Sequence, residues 1–218
     1  MNFAPGQTHN SPQLRTVRPV PIVFVVDDDV SVRESLEPLI LSHGFDVATF
    51  GTAQEFLLRA CPMVPSCLIL DMRLPDLSGL EVQGRFAAQR QRMPIVFISG
   101  YADVPTTVCA MKGGAVEVLT KPIREDLLVG AIREAIDRSN RALIEETEAR
   151  TLRERYALLS KREREVMTLV IHGLLNKQVG GELGISEITV KAHRGRVMHK
   201  MGARSFAELI SMAGKLSL

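Results

Sequence analysis

Residues 22–29 read IVFVVDDD, five apolar, β-rich positions that run straight into three aspartates. A run so short and so continuously apolar reads as a strand buried on both faces, as the strands of a parallel sheet are. Outward from it, β-rich runs recur at 46–49, 67–70, 95–98 and 115–119. Helix-period stretches lie between them at 30–42, 52–59, 79–89 and 105–112, and a fifth begins near Glu125. Strand and helix in alternation predict an α/β doubly wound domain with five parallel strands. Pro105 suits a first helical turn, whereas Pro38 falls inside the first helix and is expected to kink it.

Such a sheet places its site at the carboxyl ends of its strands. There stand Asp27, Asp28 and Asp29 after the first strand, Asp71 after the third, Ser99 after the fourth, and Thr120, Lys121 and Pro122 after the fifth. Neighbouring strands lie ~4.8 Å apart, so these groups can converge. Carboxylates held that close raise one another's pKa unless a cation joins them. A hard divalent ion with oxygen ligands, Mg2+ or Mn2+, answers that need. With Lys121 and a hydroxyl added, the set suits a phosphoryl group, which demands charge neutralisation and positioning above all. Asp71 is then the nucleophile that forms an aspartyl phosphate. A single aspartate at a strand end more often caps the next helix. All of these residues at strand ends, in order, favour the site.

The stretches VVDDD (25–29), LILDMRLPDLSG (68–79), VFISG (96–100) and LTKP (119–122) resemble the receiver domain of bacterial response regulators. The resemblance implies a flavodoxin-like fold, with Asp27 and Asp28 as metal-site acids and Asp71 as both phosphoacceptor and metal ligand. It adds the backbone carbonyl of Arg73 as a ligand, Ser99 as the hydroxyl that contacts the phosphoryl group, and Lys121 as its ion-pair partner. It also implies a cis bond between Lys121 and Pro122, a bond type for which cis is tolerable. Asp29 keeps no role beyond capping the first helix. Two features depart from the family. Val118 stands where relatives carry a switch Phe or Tyr, which leaves Tyr101 either as a contributor to switching or as a plain surface residue. Arg73 and Tyr101 occupy the positions through which relatives tune hydrolysis, and their bulk predicts a phosphorylated state that outlasts those of chemotaxis-type receivers.

Charge divides the chain. Residues 21–138 hold 11 Lys and Arg against 16 Asp and Glu, a net −5, while 157–218 hold 10 against 5, a net +5. Opposite signs on two halves suggest two domains with different partners, nucleic acid being the first candidate for the basic one. Charges of this size are also compatible with ordinary solubility. Between the halves the helical pattern of Leu128, Ile132, Ala135, Ile136, Ser139 and Leu143 runs into a charged stretch, and no Pro or Gly interrupts 131–172. A helical linker at 139–156 is predicted; its apolar seam falls short of the three to four heptads that mark a coiled coil.

Four helical pieces follow. Ser160 with Glu163 is a capping-box pair opening a helix through Ile171, and Asn176 begins a short helix through Leu183. Ser186 caps a third helix through Met201, and Ser205 with Glu208 opens a fourth. A short helix, a glycine turn and a longer basic helix make a helix-turn-helix. On the third helix Ile188, Val190, Val197, Met198 and Met201 suit a buried stripe, while Lys191, His193, Arg194, Arg196 and Lys200 crowd the remaining surface, as a phosphate-lined major groove requires. A merely solvated basic helix is the alternative.

Residues 159–210, LSKREREVMTLVIHGLLNKQVGGELGISEITVKAHRGRVMHKMGARSFAELI, resemble the LuxR-type DNA-binding domain of FixJ-like response regulators. The resemblance places Lys191 and Ala192 where relatives approach bases, adds Glu187, Thr189, His193 and Arg194 as base or phosphate contacts, and gives Asn176 and Lys177 to backbone phosphates. Relatives favour Ala near 180–181; here Gly180 and Gly181 predict a frayed scaffold helix, at ~1 kcal/mol per interior glycine.

The whole then reads as a response regulator: residues 1–20 a disordered tail, 21–138 the receiver, 139–156 the linker and 157–218 the output domain. Its implied partners are a sensor histidine kinase, double-stranded promoter DNA, a second copy of itself once phosphorylated and RNA polymerase. A phosphorylation-independent regulator with a degenerate receiver is the alternative, on the strength of Val118. A binder of protein in place of DNA is another. A haloacid-dehalogenase-like phosphatase needs an aspartate where Arg73 stands, so the chain reads as a regulator and not an enzyme. At 218 residues, 45% hydrophobic and 24% charged, the chain is globular in composition. No apolar run approaches the ~20 residues of a membrane span, and Cys61, Cys67 and Cys109 lack metal-ligand spacing. With Pro5, Pro12 and Pro19 and no continuous apolar core in the first twenty residues, a secretory signal is not expected. A cytoplasmic protein is expected.

Overall fold

In the computed structural model, which describes residues 20–59, 63–88, 93–101 and 103–216, the run at 22–26 is strand β1 (Ile22–Val26). It is followed by α1 (Val30–Ser42), β2 (Asp46–Phe50), α2 (Ala53–Leu57), β3 (Ser66–Asp71), α3 (Gly79–Ala88), β4 (Ile95–Ser99), α4 (Val104–Lys112), β5 (Glu117–Thr120) and α5 (Glu125–Ala157). The strands form one sheet in the order β2-β1-β3-β4-β5, every neighbouring pair parallel. The tail expected at 1–20 lies outside the described residues, apart from Val20. α1 continues through Pro38 as a single helix.

Side chains alternate across a strand, and both faces of this sheet are covered, which is why its strands read as unbroken apolar runs. Val23, Val25, Cys67, Ile69, Val96 and Ile98 meet Leu36 and Ile40 of α1 and Leu128, Ile132, Ala135 and Ile136 of α5. Their neighbours Phe24, Val26, Leu68, Leu70, Ile95 and Phe97 meet Phe56 of α2, Val82 and Phe86 of α3 and Ala110 of α4. Each such side chain, fully buried, is worth about 1.5–3 kcal/mol. Gly79 lets α3 start directly beneath β3: a Cβ there would lie 2.8 Å from the Asp71 carbonyl and from the Phe97 ring.

Contacts divide the chain into two units between Asn140 and Arg141. The helical stretch expected at 139–156 is thus the latter part of α5, and its Leu152 and Tyr156 pack in the core of the second unit. That unit continues with α6 (Lys161–Ile171), α7 (Asn176–Leu183), α8 (Glu187–Met201) and α9 (Phe206–Lys215). Ser160 and Glu163 form a reciprocal capping box, and Ser186 and Ser205 accept from the backbone N–H groups of Thr189 and Glu208. Leu152, Leu159, Met167, Val197, Met201 and Leu209 form one buried cluster; Val166, Val170, Val179 and Val190 form another.

Two expectations for this unit are corrected. Ile188, assigned to the buried stripe of α8, is 82% exposed. It lies two residues, about 200°, around the helix from Val190, which is buried. The paired glycines do not fray α7, which is helical across Asn176–Leu183. Gly180 is buried where a Cβ would sit 2.7 Å from the Ile185 carbonyl, and its own carbonyl accepts from the Gly184 and Ile185 N–H groups. The close turn into α8 requires that missing side chain.

Candidate functional site

The sheet order puts the ends of β1 and β3 side by side, and β5 one strand further on past β4. Asp27 is fully buried, Asp71 nearly so, and Asp28 is exposed. The Lys121 ammonium donates to Asp27 Oδ2 at 2.7 Å and to Asp71 Oδ2 at 2.6 Å. The other oxygens are held by the backbone: the Asp29 N–H donates to Asp27 Oδ1 and the Arg73 N–H to Asp71 Oδ1, both at 2.9 Å. Asp29 caps α1, its side chain accepting from the Ser31 N–H. Carboxylate oxygens of Asp27, Asp28 and Asp71 lie within 4.8 Å of one another.

Burial pushes the Asp27 carboxyl up, more than the hydrogen bonds from Lys121 and the Asp29 N–H pull it down, and the charge of Asp71 adds to the rise. Burial works against the Lys121 ammonium, but its bonds to Asp27 and Asp71 prevail and hold its pKa above the ordinary lysine value. One lysine among three carboxylates leaves a local excess of negative charge. The all-oxygen donor set and its narrow spread fit a hard divalent cation.

Ser99 is fully buried at the end of β4. Its hydroxyl donates to the Tyr101 carbonyl at 2.9 Å and accepts from the Tyr101 N–H at 3.2 Å. The Tyr101 side chain is exposed, and the Arg73 guanidinium lies 5.8 Å from its ring centre, a cation–π contact. Val118 is half-buried against the cluster that contains Phe97. The Lys121–Pro122 bond is cis. Two residues around the site escaped the sequence reading. Arg33 donates to the Asp27 carbonyl, and Asp76 accepts from the Ala53 and Gln54 N–H groups at 3.3 and 2.9 Å, tying the loop after Asp71 to the start of α2. Asp76 stands in the quoted DLSG stretch, but its partner is more than twenty residues away.

On α8, Glu187, Thr189, Lys191, Ala192 and Arg196 are exposed, as is Lys177 at the start of α7. Asn176 and Arg194 are half-buried and bonded to each other, Arg194 Nη1 to Asn176 Oδ1 at 2.7 Å, with the guanidinium also over the Phe206 ring. His193 is half-buried, its Nδ1 enclosed without a hydrogen-bond partner among the described residues. Lys200 departs from the expectation of an outward, DNA-facing group. It sits one residue before the buried Met201, and its ammonium reaches Glu163 Oε2 at 2.7 Å and the Leu158 carbonyl at 3.2 Å.

A family model described as the response regulator receiver domain matches residues 23–133. One for bacterial regulatory proteins of the luxR family matches residues 157–213. The chain is 49% identical over 197 residues to Nodulation protein W of Bradyrhizobium diazoefficiens, covering 90% of this chain and 87% of that one. It is 41% identical over 191 residues to the transcriptional regulatory protein FixJ of the same organism, covering 88% and 93%. Among solved structures, the response regulator StyR aligns with a TM-score of 0.80 at 46% identity, over 90% of this chain and 99% of its own. Full-length FixJ from B. japonicum aligns at 0.53 and 40% identity, over 90% and 97%. With an acid cluster at the strand ends of one half, a helix-turn-helix in the other and such relatives along nine-tenths of its length, the chain belongs to the two-component response regulators of the FixJ type, a receiver domain joined to a LuxR-type DNA-binding domain.

Proposed function

We propose that Asp71 accepts a phosphoryl group from a sensor histidine kinase and that this event controls dimerisation and promoter binding by the second unit. The observation that carries the reading is the Lys121 ammonium shared between Asp27 and Asp71 at the mouth of the sheet. A carboxylate oxygen of Asp71 attacks phosphorus, the P–N bond of the phosphohistidine breaks, and the imidazole leaves. Asp27, Asp28, Asp71 and the Arg73 carbonyl would hold Mg2+, which neutralises phosphoryl oxygens when bound. Lys121 stays paired with the charge that Asp71 gains. Ser99 exchanges its bonds to Tyr101 for one to the phosphoryl group, and Val118 leaves the neighbouring space without an aromatic ring to fill it.

In the second unit, Lys177, Arg196 and Lys191 are proposed as phosphate or base contacts, with Glu187, Thr189 and Ala192 on the same exposed surface. Asn176, His193 and Arg194 take part from its edge, the first and last as a bonded pair. The proposed dimer face is α4, β5 and α5, and a dimer would read a pseudo-palindrome with half-sites about one helical turn apart. The setting is the cytoplasm, with RNA polymerase as the downstream partner. Among the described residues no helix is long and apolar enough to cross a membrane.

The test is intact mass after incubation with Mg2+ and acetyl phosphate. Wild type gains one acid-labile phosphoryl group and Asp71→Asn gains none; an unchanged wild-type mass overturns the reading. Val118 favours a second reading, a regulator indifferent to phosphorylation. Equal DNA affinity with and without the phosphodonor, in protein that does gain the group, would establish it.

A further inference from the structure

The outward strip of α8 begins with an apolar side chain that nothing among the described residues of the second unit covers. Ile188, in the first turn, is 82% exposed, although the same helix buries Val190, Val197 and Met201 fully or nearly so. Positions three, four and seven residues further on share its face, and these are Lys191, Ala192 and Gly195. Lys191, Ala192 and Gly195 are all exposed, and a Cβ built on Gly195 would meet nothing within 4 Å. The strip therefore narrows behind Ile188 to a methyl group and a hydrogen, with Lys191 and Arg196 beside it. A helix shaped this way can approach base edges closely while its cations reach the phosphates on either side.

We propose that Ile188 reads sequence by packing against the 5-methyl group of a thymine in the major groove. The inference rests on the reading of α8 as the DNA-facing helix and adds to it a residue and a chemistry. Only thymine carries an apolar group in that groove, so an apolar side chain aimed there favours thymine over the other bases. A branched aliphatic chain in water at the tip of a basic helix gains nothing from phosphates. It gains from covering a methyl group, and the position near the helix start is where base edges come within reach.

The test uses the full chain, treated with acetyl phosphate, and a duplex that it selects from a random-sequence pool. Each thymine in the selected duplex is replaced in turn by uracil, which removes the methyl group and keeps the base pair. One thymine per half-site is expected to cost wild type about fourfold in affinity when demethylated, the worth of burying one such carbon. In Ile188→Ala that penalty disappears, while other positions respond as before; Ile188→Val, which keeps the branch, retains it. A merely structural role for Ile188 would weaken binding to all duplexes alike and leave the methyl penalty in place. If no thymine shows a penalty, or if it survives in Ile188→Ala, the inference is overturned and the exposed chain belongs to a protein contact. If no duplex is enriched at all, the DNA-facing reading of α8 falls with it.

Discussion

Ser99 holds its hydroxyl against both backbone groups of Tyr101, so a phosphoryl oxygen on Asp71, as proposed, would have to compete with two existing hydrogen bonds. Tyr101 in turn lies in cation–π contact with the Arg73 guanidinium, and the backbone of each is tied to the site, Arg73 to Asp71 and Tyr101 to Ser99. If Asp71 carries the phosphoryl group, the bulk of these two side chains is expected to hinder an attacking water. Truncating both residues to alanine is expected to shorten the life of the acid-labile phosphate several-fold, with Asp71 phosphorylation still complete; a wild-type decay of seconds in purified protein would contradict this. Asp27, Asp71, Ser99 and Lys121 were legible in the sequence because strand ends in a parallel sheet have fixed spacing and each run ended on its polar residue. Arg33 and Asp76 were not, since their partners are backbone groups whose direction only the folded loops define.

Phase around a helix, more than apolarity, explains what the element-level reading missed. Taking every large apolar residue of α8 as core put Ile188 with Val190. The row through Val190, Val197 and Met201 excludes it, and that row could have been followed from the sequence alone. The glycines of α7 are different: one clashes with a carbonyl across the turn if enlarged and its neighbour faces open space. No sequence pattern separates two adjacent glycines. Gly181→Ala is therefore expected to stabilise the second unit by about 0.4–1 kcal/mol, and Gly180→Ala to destabilise it by at least as much. Denaturant melts of the two variants check the opposite signs. Strand and helix positions in the receiver were legible to within a residue or two, β5 starting latest because the Ala115 N–H still closes onto Ala110 at the end of α4.

At the scale of the whole molecule, the split between a net −5 receiver and a net +5 output half makes an ionic-strength argument. Affinity carried by displaced counterions falls linearly on a log–log plot against salt. DNA binding by the full chain is expected to weaken steeply between about 50 and 200 mM salt, and Lys191→Ala to flatten the slope by about one. Fluorescence anisotropy on a labelled duplex measures both, and a flat wild-type response would remove the phosphate contacts. The charge split was visible in the sequence; the division between Asn140 and Arg141 inside one helix was not, because helical periodicity runs through it without a break.

Glu163 is almost fully enclosed, and its carboxylate is held below the usual range first by the hydrogen bond from Lys200 and then by the Ser160 N–H. The unfolded chain binds that proton more readily than the folded one, so the bond contributes its stability above the ordinary glutamate pKa and forfeits it as the pH falls through the lower folded value. Acidification should thus loosen the α6–α8 seam from its Lys200 end. Hydrogen-exchange protection factors at the α8 amides, taken relative to the intrinsic exchange rate at each pH, are expected to fall toward low pH in wild type, and Glu163→Gln to flatten that acid limb. A carboxylate that fastens two helices in neutral solution makes the output half an acid-labile clasp.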